Sequence, residues 1–400
     1  MHENRSSTST STRAVRAGIG TDGDFGAVIP PIHLTSTFTF DGFDGKRKYD
    51  YSRSGNPTRD LLGDTLAALE GGAGAVVTSS GMSAVALTLQ LLRPGDLLIA
   101  PHDCYGGTYR AMTGLAAKGH FEVAFIDQTD PRALKEAVER RPRMVWVETP
   151  SNPLLRITDL ERVAALCTGV GAIFVADNTF LSPALQRPIE FGADLVVHST
   201  TKYLNGHSDV VGGAVVAADS AVFDDLTWWA NCLGLTGAPF DSYLTLRGIR
   251  TLHARMEMHQ RNAAAIVELL SDHPAVARVY HPSLESHPGH EIARRQQNGF
   301  GAMLSFELDG GEEVVRAFLC GLRHFSLAES LGGVESLVAH PATMTHASMD
   351  AEARERAGIG ASLLRLSIGI EATEDLVGDL ADALARAEAA SPAVAAGAAW

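Results

Sequence analysis

Cysteine is scarce in this chain: four in 400 residues, Cys104, Cys167, Cys232 and Cys320, with no C-x-x-C pair among them. That argues against a disulfide framework and against a cysteine-based zinc site. Positive charge is also short. With a formal net charge of -14, a broad cationic face for nucleic acid or anionic lipid is not expected. No stretch holds 18 uninterrupted apolar residues, and the start M-H-E-N-R-S-S-T-S-T-S-T-R has no apolar segment to serve as a signal peptide. A soluble, cytoplasmic protein with no membrane and no nucleic-acid partner is therefore expected. The strand-to-helix segment 78–92 matches neither the dinucleotide pattern G-x-G-x-x-G nor the P-loop, and H-E-x-x-H is missing from the chain. G-H-S-D-V at 206–210 lacks the second glycine of G-x-S-x-G, which disfavours a serine hydrolase. Of the fifteen histidines, those in H-P-S-L-E-S-H-P-G-H (281–290) read as part of a proline-rich surface loop, and no metal is expected.

What the chain does have is core material: 45% of its residues are hydrophobic and 20% charged, over a length greater than one typical domain. From about residue 60 to 200, short apolar runs alternate with helical patterns. The runs are A-V-V-T (75–78), L-L-I-A (97–100), V-A-F-I (123–126), M-V-W-V (144–147), I-F-V-A (173–176) and L-V-V (195–197). Segments such as R-A-L-K-E-A-V-E-R (132–140) and D-L-E-R-V-A-A-L-C (159–167) space their apolar residues as helices do. The rhythm predicts an α/β fold with a mostly parallel sheet buried on both faces. After about residue 250, a long helical stretch precedes strand-like M-L-S-F-E-L (303–308) and L-L-R-L-S-I (363–368), which predicts a smaller C-terminal α+β domain. The Ser/Thr tract at 1–12 and the Ala-rich 391–400 read as mobile ends. There is no internal repeat.

Ligands of open α/β sheets sit at the carboxyl ends of the strands, so polar residues just after apolar runs are the candidates. T-S-S-G-M-S-A-V (78–85) ends a strand in hydroxyls and glycine as a helix begins, which suits a phosphate or a plain N-cap by Ser79 or Ser80. E-T-P-S-N-P (148–153) is a rigid turn. Asp177 follows four apolar residues, so either a cation or structural hydrogen bonds must meet its carboxylate. Lys202, in H-S-T-T-K-Y-L-N-G-H-S-D, is either a lysine snorkelling to solvent or a partly desolvated amine able to form a Schiff base. Together, an anion-binding helix start, a buried acid and a strand-end lysine are the parts that hold pyridoxal phosphate.

Beyond those parts, the chain carries the motifs Y-S-R-S-G-N-P-T (51–58), S-S-G-M (79–82), A-P-H-D-C-Y-G-G-T-Y-R (100–110), E-T-P-S-N-P, V-A-D-N-T-F-L-S-P, H-S-T-T-K-Y-L-N-G-H-S-D and A-E-S-L-G-G-V-E-S-L (328–337). They resemble the Cys/Met-metabolism enzymes that use pyridoxal 5'-phosphate, over about residues 13–385. The resemblance implies the PLP-dependent transferase fold type I: a large domain with a mostly parallel seven-stranded sheet (59–250), a smaller domain (251–390), and an arm (1–58) that reaches the neighbouring subunit of a homotetramer. It implies that Lys202 is the cofactor-bearing base, that Asp177 pairs with the pyridine nitrogen, and that Tyr105 stacks on the ring. Gly81 and Met82 would offer N–H groups, and Ser199 and Thr201 hydroxyls, to the phosphate; Tyr51 and Arg53 would reach the phosphate of the neighbour. Arg365, with Ser330 and Asn152, would hold the substrate α-carboxylate, and Arg110 and Glu329 would face its distal part.

The implied activity is γ-replacement: O-succinylhomoserine or another O-acylhomoserine reacts with cysteine to give L-cystathionine, in methionine biosynthesis by transsulfuration. Relatives that cleave methionine usually carry a cysteine where this chain has Gly107, and β-eliminating relatives an aromatic residue where it has Leu331. Relatives that cleave cystathionine by γ-elimination share nearly all the catalytic residues and remain the alternative. A catalytically silent scaffold is the reading from another class; the presence of both Lys202 and Asp177 speaks against it.

Overall fold

Seven short apolar segments make the first sheet: β1 (Gly74–Thr78), β2 (Leu97–Pro101), β3 (Glu122–Ile126), β4 (Met144–Glu148), β5 (Ile173–Asp177), β6 (Leu195–His198) and β7 (Gly213–Ala217), in the order β1-β7-β6-β5-β4-β2-β3. All neighbours run parallel except β7, which is antiparallel to both β1 and β6. Every residue of β4, β6 and β7 is buried, as a sheet covered on both faces requires. The first six strands lie within a residue or two of the apolar runs. β7 was not among those runs: its segment G-A-V-V-A begins on the second residue of the glycine pair that ends a loop.

The structure, a computed structural model, describes residues 8–344, 352, 354 and 357–391. The tail expected at 391–400 lies outside the described residues except for Ser391, as do residues 1–7 of the N-terminal tract. From Ser9 onward the expected mobile end is corrected: α1 (Thr10–Val15) is a helix capped by the Ser9 hydroxyl. It is tied down by Arg13, which donates to Ala68 O at 3.2 Å, and by Arg250, which donates to Val15 O at 3.0 Å. A polar tract of this kind can be ordered by contacts to the body that composition does not reveal.

The helices that matter for the site are α2 (Pro57–Glu70), α3 (Gly81–Thr88) and α4 (Gly106–Ala117), followed by α5 (Pro131–Glu139) and α6 (Leu160–Val170) at the two periodic segments named above. The second sheet comprises β8 (Val276–Tyr280), β9 (Met303–Leu308), β10 (Phe325–Leu327), β11 (Ser336–Ala339) and β12 (Leu363–Ser367), in the order β10-β11-β12-β9-β8. Its core contains Phe306, Phe318, Leu364 and Leu366, packed against the helices Leu252–Ser271 and Thr373–Ala389. The histidine-rich segment is not wholly a surface loop. His281 and His290 are buried, and both rings pack on Phe300. Burial pulls the His281 pKa down to about 4, so the ring stays neutral and serves as core.

Candidate active site

β4 and β5 end side by side on carboxylates, with Glu148 in register with Asp177. Registered residues of parallel neighbours point to the same face, so the two acids are adjacent. Asp177 Oδ1 accepts the Thr179 N–H at 3.0 Å, and burial raises the carboxyl pKa. Glu148 is pushed up further, by burial first and then by Asp177. The Ser199 N–H donates to Thr179 Oγ1 at 2.9 Å, joining the turn after β6 to the turn after β5. Lys202 lies in that second turn, and its Nζ donates to Ser330 Oγ at 2.6 Å. Burial, helped by nearby Arg365, lowers the Lys202 pKa from 10.5 to about 8 against a smaller upward pull from Glu329. The amine is thus partly neutral near physiological pH, which a solvent-exposed lysine is not.

At the end of β1 the Ser80 hydroxyl caps α3 by accepting the Ser83 N–H at 3.0 Å. Of the two caps proposed from sequence, Ser80 is the one used. This leaves the N–H groups of Gly81 and Met82 at the positive end of the helix dipole. A side chain at Gly81 would place a Cβ 2.8 Å from that of Ser199, so glycine is what lets the helix start approach the turn before Lys202. Tyr105 is the N-cap of α4 and is 44% exposed. It sits above Gly107, where a Cβ would come 2.6 Å from the ring and 2.9 Å from Met82 Sδ.

On the side of the second sheet, Arg365 of β12 is buried; Nη1 donates to Asn152 Oδ1 at 3.0 Å and Nη2 to Ser330 O at 2.9 Å. Its Nε is buried without a partner, and burial lowers the guanidinium pKa to about 10. Ser330 itself is held at φ 91°, a left-handed conformation that is rare for serine.

The fold therefore brings together Lys202, Asp177, Ser199, Gly81, Met82, Tyr105, Asn152, Ser330 and Arg365 around the strand ends. Glu329 is exposed, close enough to act on the charges of both Lys202 and Arg365. Arg110 is an exposed residue of α4. The Thr201 hydroxyl donates to Gly212 O at 3.1 Å and accepts the Gly212 N–H at 3.0 Å, so in this arrangement its proton is committed to the main chain. Tyr51 and Arg53 stand apart: Arg53 lies 5.7 Å from the Tyr51 ring centroid and donates to Asn231 Oδ1 at 3.1 Å. Two features were missed from sequence. One is Glu148, which satisfies the same strand-end rule that selected Asp177. The other is the fully buried pair behind Ser199, in which His198 Nε2 lies 2.7 Å from Glu70 Oε1.

The donor set fits pyridoxal phosphate. Main-chain N–H groups at a helix start suit its phosphate, and a depressed lysine suits its aldehyde. A buried carboxylate whose neighbour is a second carboxylate calls for a cationic partner, and a protonated pyridine nitrogen is one.

The sequence matches the Cys/Met metabolism PLP-dependent enzyme family over residues 11–385. It is 61% identical over 370 residues to cystathionine gamma-synthase of Escherichia coli (strain K12), covering 92% of this chain and 96% of the relative. The crystal structure of cystathionine gamma synthase from Xanthomonas oryzae pv. oryzae in complex with aminoacrylate and cysteine superposes with a TM-score of 0.95 at 64% identity, covering 96% of this chain and 99% of that one. A cystathionine gamma-lyase of Dictyostelium discoideum is 46% identical over 375 residues, 93% of this chain and 97% of the relative.

Proposed function

The chain belongs to the Cys/Met metabolism PLP-dependent enzyme family, and from that premise we infer that it catalyses cystathionine γ-synthesis, joining an O-acylhomoserine to L-cysteine. The observation that carries the assignment of roles is a single one: a lysine with its pKa near 8, hydrogen-bonded through Ser330 to the shell of a buried arginine whose Nε lacks a partner. Bound pyridoxal phosphate supplies an electron sink for the charge left when a proton departs from the substrate α-carbon. Asp177, ionised beside the ring nitrogen of bound cofactor, would keep that nitrogen protonated. Gly81, Met82 and Ser199 would hold the phosphate, with Thr201 able to donate to it by releasing the Gly212 carbonyl, and Tyr105 would stack on the ring.

Arg365 offers its free Nε edge to the substrate α-carboxylate as a charged fork, with Asn152 and Ser330 fixing the guanidinium plane. Neutral Lys202 Nζ would take the proton from Cα, pass it to the electron sink that bound cofactor would supply and, neutral again, take one from Cβ; the acyloxy group leaves Cγ with the bonding pair as a carboxylate, the cysteine thiolate bonds there, and Nζ returns the protons one at a time in reverse order. For O-succinylhomoserine the products are L-cystathionine and succinate. Glu329 and Arg110 face the distal part of the substrate, Arg110 as the cation suited to a succinyl carboxylate. The arm of residues 1–58 carries Tyr51 and Arg53 to the phosphate of a neighbouring subunit. The assembly is a homotetramer of two such dimers, and the compartment is the cytoplasm. Among the described residues no helix is long and apolar enough to cross a membrane.

Incubation with O-succinylhomoserine and cysteine, followed by mass spectrometry, tests the reaction. Cystathionine and succinate forming faster than added cystathionine is degraded is the expected result. Rapid release of cysteine, 2-oxobutanoate and ammonia from cystathionine, with little synthesis, would replace the synthase reading by γ-elimination.

A further inference from the structure

Glu148 has no role in the reaction as derived above, yet it is buried to 6% exposure at the centre of the site. Its two oxygens point in different directions. Oε2 accepts the main-chain N–H of Tyr105 at 2.9 Å, at the start of α4, and Oε1 accepts the main-chain N–H of Asn152 at 3.2 Å, in the turn after β4. Asn152 then holds Arg365, Arg365 holds the Ser330 carbonyl, and the Ser330 hydroxyl holds Lys202. An unbroken hydrogen-bonded path thus runs from the ring-stacking tyrosine, through one carboxylate, to the carboxylate-binding arginine and the lysine.

The cost of this arrangement argues for a purpose. A carboxylate is buried beside a second one, Asp177, with Asp103 also near, and its pKa is raised well above the usual range. Among the described residues two main-chain donors offset that cost, and both belong to segments proposed to touch ligand. A neutral residue could fill the same volume without the penalty. An acceptor with two equivalent oxygens is the one side-chain group of this size that can receive both N–H groups at once.

We propose that Glu148 is a positioning residue that sets Tyr105 and Asn152 in fixed relation, so that the ring-stacking side and the carboxylate-binding side of the site move as one unit. The proposal rests on the reading that Tyr105 stacks on the cofactor and Arg365 binds the substrate.

Glu148→Gln tests it in the reconstituted enzyme. The amide keeps one acceptor, while its NH2 faces the other N–H, so one of the two segments is released. Leaving one of these buried N–H donors without its acceptor corresponds to about a tenfold to hundredfold weakening. The expected result is a rise of about that size in KM for the acylhomoserine with a smaller change in kcat, together with an altered visible circular dichroism of the bound cofactor as the Tyr105 ring moves. Glu148→Asp, which retains two acceptors on a shorter arm, should recover part of both signals; it also carries the test if the glutamine variant does not fold. Unchanged KM and unchanged visible dichroism in both folded variants would overturn the proposal. The dichroism signal needs no turnover, so a wild-type protein that binds cofactor but makes no cystathionine would sink the functional reading and leave this inference standing or falling on its own.

Discussion

Lys202 is the residue proposed to carry the cofactor, and its environment sets an expectation about pH. The amine attacks an aldehyde only when neutral, and burial lowers its pKa from 10.5 to about 8. Capture of pyridoxal phosphate by the cofactor-free protein, followed by stopped-flow absorbance, should accelerate as pH rises and level off above about 8. An inflection near 10.5 would mean that the lysine is solvated and the site is not built as described. The placement of both Lys202 and Asp177 beside the strand ends was legible in the sequence, because each follows an apolar run. Arg365 was legible only through the family resemblance. It sits inside an apolar run, and what places it at the proposed site is contact with Asn152 and Ser330, residues 213 and 35 positions away.

Among the elements, the start of α3 is the one whose position depends most visibly on a single residue. In Gly81→Ala the added methyl would press on Ser199, forcing the helix start away from the turn that carries Lys202. Cofactor affinity, measured by titrating the cofactor-free protein, should fall about tenfold or more if one charged hydrogen bond to phosphate is lost. Gly114→Ala is the matched control: it lies within α4, a Cβ there meets nothing within 4 Å, and the change should leave affinity intact while stabilising the helix by up to about 1 kcal/mol. Equal effects of the two substitutions would show that the contact between α3 and Ser199 is unimportant. The strands were readable to within a residue or two because buried parallel strands are continuous apolar runs. β7 escaped because its burial comes from its place between β1 and β6, which the pattern of a five-residue segment cannot express. The order of α1 escaped for a similar reason: its anchors come from residues 68 and 250.

For the whole molecule, buried neutral histidines set the acid limit of stability. His259 and His281 are buried with pKa values lowered from 6.5 to about 4, mainly by desolvation. The unfolded chain takes up these protons below 6.5 and the folded chain only near 4, so this stability is complete above 6.5 and is lost as pH falls toward 4. Each histidine accounts for roughly 3 kcal/mol over that range. The raised carboxylates Glu148 and Asp177 act in the opposite sense, so comparison of urea unfolding for wild type and His281→Asn isolates the histidine contribution. The variant should show a shallower loss of stability from pH 6.5 to 4; parallel curves would contradict the burial argument. The proposed shared site makes a second whole-molecule prediction. Lys202→Ala and the double variant Tyr51→Ala/Arg53→Ala should each be nearly inactive. When they are unfolded and refolded together, hybrid dimers would hold one intact site in two, restoring about a quarter of wild-type activity. No recovery would mean that each subunit builds its site alone. The most direct test of the account as a whole is to load the protein with pyridoxal phosphate, reduce with borohydride, and map the modified peptides by mass spectrometry. The cofactor mass should appear on Lys202 and on no other lysine; a principal label elsewhere would contradict the site built here at the ends of β4, β5 and β6.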